Sequence, residues 1–292
     1  NTVMALVNPG DEVIIPAPYW VSYPQMVLLA EGTPVPIPTT IGQDFKVTPE
    51  QLEQAITPRT RALILCSPSN PTGSVYSAAE LEALKDVLLR HERVMVIADE
   101  IYEHINYAGA HASMAQFPDI KDRVVIVNGV SKAYAMTGWR IGFIAAPEWV
   151  VKGCNKLQGQ YTSGPCSVSQ KAAEAAYTGS QECVEVMRRA FERRRDLIVR
   201  LAREIPGLEV NNPHGAFYLF PKCSGFFGKR DGDRVISNST DLAMYLLEVG
   251  HVATVGGDAF GAPGYFRMSY ATSEANITEA MRRIADTLAR LK

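Results

Sequence analysis

Five polar side chains in this sequence sit where chemistry is done rather than where structure is made. Three apolar runs of strand length end in unusual groups. Ala62 to Cys66 runs into Ser67-Pro-Ser-Asn-Pro-Thr-Gly73, where two prolines and a glycine would hold Asn70 in a fixed loop. Val94 to Ala98 ends in Asp99-Glu-Ile-Tyr102, and Val124 to Asn128 ends in Gly129-Val-Ser-Lys132. Further on, Tyr265-Phe-Arg-Met-Ser269 carries Arg267 inside a run of alternating character. Each residue alone has an ordinary reading: Asp99 as a helix cap, Asn70 as a turn residue, Lys132 as an exposed amine, Arg267 on an edge strand. Open α/β sheets bind ligands beyond the carboxyl ends of their strands, so an amide, a carboxylate, a phenol and an amine meeting on one edge form a candidate reactive site.

The elements that must position these groups can be read from periodicity. Expected strands are Glu12 to Pro16, Thr33 to Ile37, Ala62 to Cys66, Val94 to Ala98, Val124 to Asn128 and Ile141 to Ala145, with helical spacing over Trp20 to Ala30, Thr48 to Ala55 and Ala78 to His91. Alternation of this kind argues for βαβ units on a mostly parallel sheet. Ser77 caps the third helix, with Glu80 at the reciprocal position. Helices follow Pro147, among them a basic stretch from Gln181 to Glu204 that should connect two domains. Its run Arg193-Arg-Arg195 reads as a solvated face. The remainder, with strands near Ala216 to Phe220, Val252 to Val255 and Phe266 to Tyr270 and helices at Thr240 to Val249 and Glu274 to Leu291, reads as a smaller α+β domain. The division expected is residues 1–190 and 191–292.

Length and charge agree with that division. A chain of 292 residues can bury two cores, and a net charge of −2 favours neither nucleic acid nor an anionic membrane surface, which leaves a small polar metabolite as the expected ligand. Apolar runs are too short to cross a membrane. The five cysteines form no CxxC pair, and the five histidines show no metal-ligand spacing, so reduced thiols, an intracellular or organellar compartment and no metal site are expected. No GxGxxG or GxxxxGK[ST] follows a strand, which disfavours a nucleotide-binding α/β protein. The apolar opening Thr2 to Val7 reads as the tail of a helix begun earlier, so the chain is expected to be a fragment or to have lost its true start to processing.

The stretch Gly129-Val-Ser-Lys-Ala-Tyr-Ala-Met-Thr-Gly-Trp-Arg-Ile-Gly142 resembles the cofactor-lysine signature of the class I and II aminotransferases, pyridoxal-phosphate enzymes of fold type I. Pro18-Tyr19-Trp20, Asn70-Pro-Thr-Gly73, Asp99-Glu-Ile-Tyr102 and Arg267 follow that family's order and approximate spacing, so the resemblance covers nearly the whole chain. It implies an α/β fold with a mostly parallel sheet, helices on both faces, and a smaller α+β C-terminal domain. It also implies that Lys132 carries pyridoxal 5'-phosphate and moves a proton at the substrate Cα, with its pKa lowered by desolvation among cationic neighbours. By the same resemblance Asp99 pairs with the cofactor's ring nitrogen, Tyr102 and Asn70 donate to its 3′ oxygen, Ser131 and Arg140 hold its phosphate, Trp20 stacks on its face, and Arg267 grips the substrate α-carboxylate.

Cys66-Ser-Pro-Ser-Asn-Pro-Thr-Gly-Ser-Val-Tyr76 and Lys156-Leu-Gln-Gly-Gln160 look like plant and algal members of the prokaryotic-type aspartate aminotransferases, some of which also accept prephenate. The implied enzyme is a homodimer in a plastid stroma or bacterial-type cytoplasm, exchanging an amino group between aspartate or glutamate and a 2-oxo acid by a ping-pong route. That pattern includes a further N-terminal stretch with part of the phosphate site and part of what selects the second carboxylate. A molecule truly beginning at Asn1 would therefore hold its cofactor weakly. Rival readings are an aromatic aminotransferase, a β-lyase, a decarboxylase or a synthase of the same fold, or a truncated, non-catalytic relic.

Overall fold

The computed structural model describes residues 1–292. Six strands form the principal sheet: β1 (Glu12–Ala17), β2 (Thr33–Pro38), β3 (Thr60–Cys66), β4 (Met95–Asp99), β5 (Val124–Gly129) and β6 (Gly142–Ala145). Their spatial order is β2-β1-β3-β4-β5-β6. The first five are parallel, and β6 runs antiparallel to β5. All six strands expected for this sheet are present, within a few residues of the expected bounds.

Parallel strands buried on both faces need near-continuous apolar runs, and these have them. In β1, Val13 and Ile15 join a core with Val3, Leu6 and Val27, whereas Ile14 points the other way into a core with Leu63, Leu81, Leu84 and Val96. The alternation is the pleat itself. One face is covered by α1 (Thr2–Leu6), α2 (Ser22–Leu29) and α5 (Glu148–Tyr161), the other by α3 (Pro49–Ala55) and α4 (Ala78–Leu89). Ser77 accepts from the backbone of Glu80, and the Glu80 carboxylate accepts from that of Ser77 at 2.7 Å, the reciprocal cap read from the sequence. Because β1 lies between β2 and β3, the chain reverses its direction across the sheet there, and a crevice opens at the carboxyl ends of β1 and β3.

After α6 (Ser167–Thr178), the 22-residue α7 (Glu182–Arg203) leads into a second sheet. This part contains β7 (Tyr218–Leu219), a hairpin of β8 (Arg230–Asp231) and β9 (Arg234–Val235), α8 (Ser239–Glu248), β10 (Val255–Gly256), β11 (Phe266–Ser269) and α9 (Glu274–Leu288). The sheet is antiparallel in the order β10-β11-β7. Its core of 24 buried residues runs from Phe191 to Leu291 and takes in only Tyr102 and Ile105 from the earlier part of the chain.

One sequence expectation needs correction. Arg195 is not on a solvated face: it is 8% exposed, donates to the Pro213 carbonyl and lies over the Tyr107 ring, while Arg193 on the same helix stays exposed. The run of three arginines spans about 200°, more than half a turn of helix, so on a helix with one buried face it cannot all lie on the solvated side. The ordinary reading of Arg267 as an edge-strand residue, weighed against a functional one, is ruled out, because β11 is the central strand of its sheet. No helix is long and apolar enough to cross a membrane.

Candidate active site

The predicted groups stand on the strand ends that frame the crevice. Asp99 closes β4 and pairs in register with Cys66, the last residue of β3. Its Oδ1 accepts from the Ile101 backbone at 3.2 Å, and its Oδ2 accepts from the Tyr23 hydroxyl at 2.6 Å. Burial pushes the Asp99 carboxyl above the ordinary value, opposed by the Tyr23 and Ile101 hydrogen bonds and by the charge of Lys132.

Lys132 follows β5 and is half-buried, its amine over the rings of Tyr102 (5.7 Å) and Phe217 (5.9 Å). Burial lowers its pKa, and the guanidinium charges of Arg267 and Arg140 lower it further against the pull of Asp99. The expectation of an amine desolvated among cations therefore has its physical cause in the fold. Arg140 is exposed, adopts a left-handed backbone (φ 54°) and donates to the Thr137 carbonyl at 2.8 Å, which leaves most of its fork free. Ser131 is partly buried beside Lys132, with no side-chain hydrogen bond.

Arg267 reaches across from the second sheet. It donates to Asn70 Oδ1 at 2.8 Å and is held between the rings of Tyr218 (4.6 Å) and Phe260 (4.9 Å), a flat slot that suits a guanidinium. With its oxygen engaged, Asn70 keeps its amide N–H groups as donors. The hydroxyls of Tyr102 and Tyr218 lie 3.0 Å apart, both deeply buried, and burial raises both phenols. Trp20, partly exposed after β1, meets the Tyr23 ring edge-on at 5.4 Å. The crevice thus gathers Asn70, Asp99, Tyr102, Lys132 and Arg267 into one connected set, with Arg140 at the rim and Trp20 joined to Asp99 through Tyr23.

Sequence reasoning passed over Tyr23, Phe217, Tyr218 and Phe260. Tyr23 was absorbed into a helical pattern, and the others into ordinary strand or loop hydrophobicity, so no local signal separated them from core residues. The histidine reading also needs an addition, since Glu100, Glu103 and His111 bring their ligand-type atoms within 4.8 Å of one another. The two carboxylates there already accept hydrogen bonds from Ser113 and Asn128. A cleft of about 640 Å³ lies elsewhere, between α7 and residues 103–109. Its Arg188 is engaged by Glu185 and Glu192, and its lining includes Glu103 but none of Asn70, Asp99, Tyr102, Lys132 or Arg267. All five cysteines are unpaired.

Residues 1–284 match the family model for aminotransferases of class I and II. The chain belongs to that family. Among relatives, it is 51% identical to a bifunctional aspartate aminotransferase and glutamate/aspartate-prephenate aminotransferase of Petunia hybrida, over 100% of this chain and 62% of that protein. It is 50% identical to an aspartate/prephenate aminotransferase of Cereibacter sphaeroides, over 97% of this chain and 72% of the relative. The crystal structure of an aspartate aminotransferase from Rhizobium meliloti superposes with a TM-score of 0.96 at 49% identity, covering 100% of this chain and 74% of that one. The chain thus spans between three-fifths and three-quarters of the length of these class I and II aminotransferases, a family and fold that use pyridoxal phosphate.

Proposed function

We propose that this chain is the greater part of a pyridoxal-phosphate aminotransferase that exchanges the amino group of aspartate or glutamate with a 2-oxo acid, with prephenate as a further acceptor. The observation that carries the reading is the setting of Lys132: an amine with aromatic neighbours in place of a carboxylate partner, its proton affinity lowered by burial and two guanidinium groups, next to a buried carboxylate. An ordinary lysine would be exposed or ion-paired.

The donor set fits the cofactor. Arg140 and Ser131 would hold its phosphate, Arg140 through the free part of its fork. Asn70, its oxygen occupied by Arg267, has only N–H to offer the 3′ oxygen, and Tyr102 can donate there while accepting from Tyr218. Trp20 would cover one ring face, and Asp99 would keep the ring nitrogen protonated. When bound, pyridoxal phosphate supplies an aromatic electron sink for the charge left at the substrate Cα. Lys132 Nζ takes and returns the Cα proton, a role that needs a neutral amine near working pH. Arg267 receives the α-carboxylate in two parallel hydrogen bonds, and its aromatic slot keeps the guanidinium plane fixed.

The distribution of cores supports a division near residue 190, with cofactor groups on the first part and Arg267 on the second. A homodimer is supported by exposed apolar side chains on β6, α5 and α6, among them Phe143, Trp149, Tyr161 and Val168. The reading keeps the plastid stroma or bacterial-type cytoplasm as its compartment.

The test is spectroscopic. Pure protein mixed with pyridoxal phosphate should gain a visible band, borohydride should fix the label on the Lys132 peptide, aspartate should shift the band, and 2-oxoglutarate should restore it. A colourless protein with no reducible adduct would remove the proposal, and a band indifferent to aspartate would redirect it to another reaction of the same fold.

A further inference from the structure

We propose that Tyr23 is a positioning residue: its phenol O–H holds Asp99 as a carboxylate and fixes the orientation in which that carboxylate meets the cofactor's ring nitrogen. This deepens the reading above and rests on it, since it takes Asp99 as the ring-nitrogen partner.

Tyr23 stands at the start of α2, one turn beyond Trp20, and its backbone N–H donates to the Trp20 carbonyl at 3.0 Å. Its ring belongs to the core on one face of the sheet, with Val3, Val13 and Val27, and is 6% exposed. A phenylalanine would fill that space equally well. A buried hydroxyl is costly unless it is used, and here it is used once, on Asp99 Oδ2 at 2.6 Å. That length is typical of an O–H donor on an ionised carboxylate. Ile101 N–H holds the other oxygen, so each oxygen has one protein donor and retains a lone pair for the ligand.

The charged and titratable groups facing Asp99 come from four directions. Tyr23 is on α2, Cys66 ends β3, Lys132 follows β5, and Glu100 and Tyr102 continue from β4. Glu100 opposes ionisation of Asp99. The Cys66 thiol is pushed up to about 12 by burial and then by the Asp99 charge, so it stays neutral. The Tyr102 hydroxyl meets that of Tyr218 and not Asp99. Tyr23 is therefore the side-chain hydroxyl committed to keeping this carboxylate charged, and through the same ring it supports Trp20 edge-on at 89°. One side chain thereby ties the group at the ring's edge to the group at its face.

The experiment is a carboxyl titration by nuclear magnetic resonance on the full chain labelled at aspartate, with Asp99→Asn as the assignment control, before and after addition of pyridoxal phosphate. Tyr23→Phe should raise the Asp99 midpoint by about one pH unit, the size expected from losing a hydrogen bond to a charged group. In the loaded enzyme the same change should lower kcat about tenfold with KM nearly constant and move the acidic limb of the pH profile upward. Fluorotyrosine installed at position 23, a stronger donor, should move the midpoint down, which gives an answer of opposite sign even where Tyr23→Phe folds poorly. Val27→Ala, on the same helix, should lower stability and leave the midpoint alone. An Asp99 midpoint unmoved by both changes at position 23 overturns the inference. Failure of the cofactor reading would show separately, as wild-type chain that never takes up pyridoxal phosphate.

Discussion

Lys132 illustrates what a single residue gains from its surroundings. Its amine is half-buried, and burial together with Arg267 and Arg140 disfavours the charged form. The folded pKa therefore lies below the unfolded one, and across that interval the unfolded chain binds more protons, so stability rises with pH. Lys132→Met should raise the melting temperature of the cofactor-free protein at neutral pH, and the gain should disappear as pH climbs toward about 10.4, the free lysine value. A thermal-shift series against pH reads this directly, and a gain that grows with pH would contradict it. Arg267 works by shape as well as charge, lying between Tyr218 and Phe260 with one hydrogen bond to Asn70. Arg267→Lys keeps the charge but loses the fork, so kcat/KM for aspartate should fall at least about tenfold, mostly through KM, for the loss of about 1.5–3 kcal/mol of carboxylate binding. Steady-state kinetics would check it.

At the scale of elements, the strands deliver side chains and the loops aim them. The segment holding Asn70 is fixed where Gly73, at φ +69°, accepts hydrogen bonds from the backbones of His214 and Gly215, each at 2.9 Å. A Cβ at Gly73 would lie 2.5 Å from Pro213 Cβ and 2.8 Å from the Gly215 carbonyl. Gly73→Ala should thus cost about 1–3 kcal/mol, from its left-handed backbone alone, and loosen the Asn70 to Arg267 bridge. Urea unfolding should show a lower midpoint, and KM for aspartate should rise alongside. The strands, the Ser77 cap and the polar groups after β3, β4 and β5 were legible from sequence because each is a local pattern. Tyr23 and Tyr218 were not, since an aromatic residue in a core and an aromatic residue with a task have the same hydropathy.

Across the whole molecule, two faces of one sheet and a separate core after residue 190 divide the burial. Ile284, fully buried on α9, belongs to the last of these. Ile284→Ala should cost about 2–5 kcal/mol and strip hydrogen-exchange protection from α7, α8 and α9 before β3 and β4 are affected. Uniform loss of protection would show that the cores unfold as one and would count against the proposed division. The exposed Phe143 and Trp149 belong to this scale too, because much of their apolar surface stays open to solvent even though Phe143 meets the Tyr177 ring and Trp149 the Arg61 guanidinium.

The sequence by itself determined the parallel sheet, the order of its motifs and the residue types at the strand ends, because hydrophobic period, capping and turn chemistry act over a few neighbouring residues. Only the tertiary structure decided which groups meet. Arg267 reaches Asn70 across 197 positions of chain, Tyr23 reaches Asp99 across 76, and Arg195 turns inward beside two arginines of identical local character. Those pairings are settled by how the sheets and helices pack, and a burial that depends on the whole fold leaves no mark in any short window of sequence.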